Sequence, residues 1–73
     1  PLTPIEFSLL AQLARHAGRV LTHAHLLNAV WGPKATEQSH YLRVHFTHLR
    51  RKLRDAGLTD EIIRNEPGIG YRL

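Results

Sequence analysis

Ser39-His-Tyr-Leu-Arg-Val-His-Phe-Thr-His-Leu-Arg-Arg-Lys-Leu-Arg54 is the stretch on which the reading of the chain turns. At about 100° per residue it divides into two faces. Leu42, Phe46, Leu49 and Leu53 recur at i, i+4, i+7 and i+11, one apolar stripe that needs a core to lie on. The opposite face carries His40, Tyr41, Val44, Thr47, His48 and Arg51. Arg43, Arg50, Lys52 and Arg54 lie on the flanks and at the C-terminal end, and no acidic residue occurs between Gln38 and Arg54. A helix apolar on one side and cationic on the other suits the major groove of DNA, which admits one α-helix. Its cations neutralise phosphates while its outermost ridge reaches base edges. A solvated surface helix has a similar composition, so the flanking segments decide between the two.

Working outward, Pro33-Lys34-Ala35-Thr36-Glu37-Gln38 reads as a polar connector without periodicity, and Ser39 as the cap of the helix that follows. Before the connector, Thr22 caps a helix from His23 to Trp31 whose apolar side is Leu26, Leu27, Val30 and Trp31, ended by Gly32-Pro33. Two helices joined this way, the second basic outside, form a helix-turn-helix with an enlarged turn. At the N-terminus, Thr3 caps, Pro4 takes the first helical position and Glu6 completes a capping box, with Leu2 and Phe7 spaced for a hydrophobic staple. That helix is expected to bury Leu10, Leu13, Ala14 and Ala17 and to stop at Gly18. Val20-Leu21 reads as a two-residue strand at a sheet edge. After Gly57 the period changes. Ile62 to Arg64 reads as a strand, Glu66-Pro-Gly-Ile69 as a turn with Gly68 at the position that needs positive φ, and Gly70 to Leu73 as the returning strand. The expected fold is therefore α+β, a winged helix-turn-helix. It has three helices, a C-terminal β-hairpin wing and a short strand between helices one and two.

The totals agree with this architecture. Seventy-three residues allow one domain, expected over residues 1–73, with about 60% of the unfolded chain's surface buried and no room for a deep substrate cavity. Ten Lys and Arg against six Asp and Glu give a net charge of +4, which favours a polyanionic partner. Cysteine is absent, which suits a reducing cytoplasm and rules out Cys-based zinc sites. No apolar run approaches the roughly 18 residues of a membrane span. The chain opens on Pro rather than Met and reads as a fragment of something longer.

Leu2-Thr3…Glu6…Leu9-Leu10, Gly18-Arg-Val-Leu-Thr22, Leu26-Leu27…Val30-Trp31-Gly32, His45…Leu49-Arg50…Lys52-Leu53 and Gly68-Ile-Gly-Tyr-Arg72 resemble the DNA-binding output domain of the OmpR/PhoB family of bacterial response regulators. Trp31-Gly-Pro33, Ser39-His-Tyr-Leu-Arg43 and Glu66-Pro-Gly-Ile-Gly-Tyr-Arg-Leu73 look like its Kdp branch, the regulators of potassium uptake. The resemblance implies double-stranded DNA as partner and an N-terminal receiver phosphorylated by a sensor histidine kinase. It also implies a β-platform ahead of the first helix, homodimers on tandem half-sites, and contact with RNA polymerase through residues 33–38. Carried over by position, His40, Tyr41, Val44 and His48 face bases. Trp31, His45 and Arg50 face the DNA backbone. Thr47 and Arg51 on the outer face of the helix, and Arg72 on the outward side of the returning strand, are read from the residues as further backbone contacts. Family members often have Arg where this chain has His40 and His48, and a minor-groove Arg in the wing where it has Pro67 beside Glu66. The wing is therefore expected to position the domain rather than to read sequence.

Other classes fit less well. There is no nucleophile-base-acid set, no phosphate-cradling Gly-rich loop and no paired carboxylates, so the chain is not expected to be an enzyme or to need a cofactor. Six histidines invite a metal, but without Cys and without a carboxylate in helical register with His45 and His48 no metal site is expected. RNA binding would want exposed aromatics on a sheet, where the wing offers Tyr71 alone. A winged-helix protein-interaction module remains the alternative, separable from a DNA reader by salt dependence.

Overall fold

In the computed structural model the chain is described over residues 1–73, the side chain of Asp60 excepted. Helix α1 (Pro4–Arg15) starts as its sequence dictates. The Thr3 hydroxyl accepts from the Glu6 N–H at 3.1 Å, and the Glu6 carboxylate accepts from the Thr3 N–H at 2.9 Å. The face it buries is not the expected one. Leu9 and Leu13 enter the core together with Glu6, while Leu10 is half-buried, Ala14 is exposed and Ala17 lies beyond the helix end. Alanine methyls carry too little apolar area to choose a face. An ion pair holds the Glu6 side inward: Lys52 Nζ donates to Glu6 Oε1 at 2.7 Å, with Glu6 only 3% exposed. Burial pushes the Glu6 carboxyl up. The Lys52 ammonium and the hydrogen bonds with Thr3 outweigh that and hold it below its ordinary value. The expected staple does not form a buried pair, since Phe7 is 64% exposed while Leu2 packs at the core edge.

Strand β1 is Leu21–Thr22, one residue later than expected, because Leu21 is the side chain that reaches the core while Val20 stays exposed. Helix α2 (His23–Trp31) follows at once, its first turn capped by the Thr22 hydroxyl, which accepts from His25 N–H at 3.0 Å. The connector is more ordered than its composition suggested. Pro33–Ala35 forms a 3₁₀ turn closed by Ala35 N–H on Gly32 carbonyl at 3.1 Å, and Gln38 N–H reaches Ala35 carbonyl at 2.9 Å. The chain thus enters helix α3 (Ser39–Asp55) already turning. Ser39 is its first helical residue rather than its cap; Gln38 occupies the cap without a side-chain bond.

The wing begins later than expected as well. Ile62 lies in a 3₁₀ turn (Asp60–Ile62), and the hairpin pairs strand β2 (Arg64–Glu66) with strand β3 (Gly70–Arg72). Ile63 is pulled into the core ahead of the strand, which removes it and Ile62 from the ladder. The turn is the expected one: Ile69 N–H donates to Glu66 carbonyl at 2.9 Å and Gly68 has φ of 76°. Strand β3 lies between β1 and β2 in an antiparallel sheet, with Tyr71 opposite both Leu21 and Asn65. A Cβ on Gly70 would overlap the Leu21 carbonyl oxygen, so only glycine lets β1 approach there. Leu42, Phe46 and Leu49 of α3 are fully buried between the other helices and this sheet, with the Phe46 and Tyr71 rings 4.2 Å apart. One core thus anchors the inner side of α3 and leaves its outer side to solvent.

Candidate nucleic-acid interface

With Leu42, Phe46, Leu49 and Leu53 buried, helical geometry fixes what α3 presents outward. His40, Val44, His48 and Arg51 fall within about 40° of one direction at 100° per residue and form the outermost ridge. All four are exposed, and Val44, an apolar side chain among polar neighbours, is 49% exposed. Arg51 has no ion pair or hydrogen bond with a carboxylate among the described residues.

The two flanks of the ridge differ. On the α2 side, Trp31 is half-buried, with Tyr41 and His45 ring centroids at 5.5 and 5.3 Å; His40 in turn lies 4.7 Å from Tyr41. Tyr41, expected to face bases, lies on the α2 side of the ridge, its ring against Trp31 and its surface 37% exposed. His45 is half-buried on the same aromatic cluster. On the wing side, Arg50 donates from Nε and Nη2 to the Ile63 carbonyl at 3.3 and 3.1 Å, with its guanidinium carbon 5.9 Å from the Tyr71 centroid. That bond ties α3 to the root of the wing. Thr47 donates to the Arg43 carbonyl at 2.7 Å, as helical threonines commonly do. Arg72 donates to Glu66 Oε2 at 2.8 Å, so this cation of the wing has a carboxylate partner. Arg50, Thr47 and Arg72 thus all have partners within the chain.

The sequence reading gave Asn65 no role, Arg43 only a place on the helix flank and Ser39 only that of a cap. Here they line one cleft of about 220 Å³ between the first turns of α3 and the wing turn, with His23, Pro67, Gly68 and Tyr71. The signal was present in the spacing of Arg43, Arg50 and Arg54 at i, i+7 and i+11, one cationic flank; that the wing faces this flank is a tertiary fact. The connector residues Pro33, Lys34, Thr36 and Glu37 are exposed, and Ala35 and Gln38 half-buried, beside the C-terminal end of α2. No group of three or more His, Asp or Glu among the described residues is placed to hold a metal ion. No helix is long and apolar enough to cross a membrane.

The family model described as "Transcriptional regulatory protein, C terminal" matches residues 1–73. The chain belongs to this family. Among the relatives of this C-terminal domain, the KDP operon transcriptional regulatory protein KdpE of Escherichia coli K12 is 56% identical over 71 residues, 97% of this chain and 32% of that protein. KdpE of Mycobacterium tuberculosis is 44% identical over the same share of this chain and 31% of its own length. The chain spans about a third of the length of these curated relatives. Of solved structures, the DNA-binding domain of the response regulator AdeR, in complex with an intercistronic region, superposes with a TM-score of 0.87 at 27% identity, covering all of this chain and 71% of that one. The C-terminal domain of the nisin resistance regulator NsrR superposes at 0.78 and 30% identity, over 99% of this chain and 72% of that one. The winged helix-turn-helix architecture, the OmpR/PhoB-type membership and the Kdp-like character expected from sequence all agree with these likenesses.

Proposed function

We propose that this chain is the double-stranded DNA-binding output domain of a two-component response regulator, reading the major groove with α3 at a promoter of potassium transport. The observation that carries the reading is the outer side of α3: exposed, cationic, free of carboxylates over its first sixteen residues, and fixed by a buried leucine and phenylalanine stripe behind it. His40, Val44 and His48 face base edges, and the exposed Val44 offers an apolar contact for a thymine methyl. Tyr41, Trp31 and His45 border one phosphate backbone, while Arg43, Arg50 and Thr47 border the other. Arg72 contributes from the wing. The identity to KdpE proteins supports the potassium assignment.

In the whole protein, residues 33–38 contact RNA polymerase, a receiver domain ahead of this chain accepts phosphate from a sensor kinase, and two copies bind tandem half-sites in the cytoplasm. The relatives' additional length supports the receiver part of this reading. The test is affinity for a duplex selected from random DNA, and for an unrelated duplex, across a salt series. Log affinity should fall linearly with log salt, by about 0.9 per phosphate neutralised. Val44→Ser should lose about 1 kcal/mol at one T·A pair of the selected site and nothing on unrelated DNA. Binding that ignores salt, or partners that are proteins only, would make this a protein-interaction module instead.

A further inference from the structure

We infer that Arg51 is the guanine reader of α3, placed about three base pairs from the thymine that Val44 contacts. The inference rests on the DNA-reading role of α3 proposed above and deepens it. Of the cations on or near that face, most are used elsewhere: Lys52 on Glu6, Arg72 on Glu66, and Arg50 on the Ile63 carbonyl. Arg43 lies toward the wing, in the cleft with Asn65 and Pro67. Arg51 is exposed, has no carboxylate partner among the described residues, and shares the outermost ridge with Val44. By position it points at the groove floor, where a phosphate-binding role would want a flank.

Donor chemistry separates the four ridge residues. Valine donates nothing, and a neutral imidazole offers one N–H. A guanidinium presents a fixed fork of donors that matches O6 and N7 of guanine bidentately. Arg51 is therefore the one ridge residue able to make the commonest specific contact with G. It follows Val44 by seven residues, about 10 Å of helix at 1.5 Å per residue. That span is about three base pairs at 3.4 Å each, for a helix lying along the groove. The ridge is polarised: a methyl reader in its middle and a guanine reader toward its C-terminal end.

The experiment is a selection of bound duplexes from random DNA by the 73-residue chain, wild type and Arg51→Gln, followed by titration of single-base variants. Wild type should select a T and a G about three pairs apart, and replacing that G should weaken binding roughly tenfold or more. Arg51→Gln should convert the preference at that one position from G to A, because glutamine pairs bidentately with adenine N6 and N7. A merely structural or electrostatic residue cannot produce that switch. Arg51→Ala should lose the G preference while unrelated duplexes weaken only by the share of one charge, and its thermal melting should match wild type. Uniform weakening on every duplex would make Arg51 a backbone contact and overturn the inference while leaving α3 as the reader. Wild type that binds no DNA, or all DNA alike, would overturn the parent reading and this one with it.

Discussion

Glu6 shows how one residue can answer to two demands. It closes the capping box of α1, and it also accepts from Lys52 of α3, so a single carboxylate joins the first helix to the recognition helix. Its carboxyl is held below its ordinary value, so its contribution is complete above the unfolded-state value of 4.5 and is lost as pH falls through the lower folded value. Glu6→Gln should therefore cost about 1–3 kcal/mol near neutral pH. The gap between variant and wild type, read from urea unfolding midpoints, should close in acid below pH 4.5. A gap that persisted at low pH would assign the cost to packing. Gly70 makes a purely steric case. Gly70→Ala places a methyl on the Leu21 carbonyl and should destabilise by about 3 kcal/mol, the upper end for overpacking. Gly68→Ala strains only a positive φ of 76° and should cost about 1 kcal/mol. Thermal melts of the two variants rank the effects; equal losses would show that β1 gives way at no cost.

Among the elements, the wing is the one whose electrostatics the hairpin geometry rewrites. Glu66 and Arg72 are close in the folded ladder, at its turn end and its outer end, and their 2.8 Å ion pair cancels charge where DNA would approach. Both groups are about one-third exposed, so the pair contributes little to stability. Its larger effect is on binding. Glu66→Gln removes a repulsion and frees Arg72, and should tighten DNA binding on all sequences while steepening the salt slope by about 0.9 for the phosphate gained. Pro67→Arg, which puts a cation at the tip, should instead add a preference for a narrow A·T-rich minor groove beside the main site. If neither variant alters affinity in a salt titration, the wing stands clear of the duplex. The Arg50 bond to Ile63 carbonyl belongs to this scale too, since it fixes the wing root against α3 and makes Arg50→Ala a loss of geometry as well as charge.

For the whole molecule, the balance of +4 counts the six histidines as neutral. The ten Lys and Arg behind that surplus set how steeply binding to a polyanion depends on salt. A variant carrying His40→Gln, His45→Gln and His48→Gln, all on α3 at or beside the outer face, should therefore keep the salt slope of wild type in fluorescence-anisotropy titrations. A slope that falls in the triple variant would show that these rings neutralise phosphates as well.

Local rules made most of the fold legible in the sequence. The Thr3-Pro4-Glu6 start, the Thr22 cap, the leucine and phenylalanine period of α3 and the Glu66-Pro-Gly-Ile69 turn each involve residues within one or two helical turns, and each formed as read. The outer ridge of α3 was legible for the same reason, because fixing the buried stripe fixes the opposite face. Contacts between distant segments decided the rest. Leu9 and Leu13 packing against the other elements, with Glu6 paired to Lys52 of α3, fixed which side of α1 is buried, against the count of its alanines. Packing of Ile63 delayed the wing's first strand, and its carbonyl gave the Arg50 guanidinium a partner inside the chain. Trp31 drew Tyr41 and His45 to one flank, and the hairpin brought Arg72 onto Glu66. A sequence states which side chains carry charge and how they are spaced along a helix. Which charges remain available to a partner depends on what lies across the core, and that distance exists only in the folded chain.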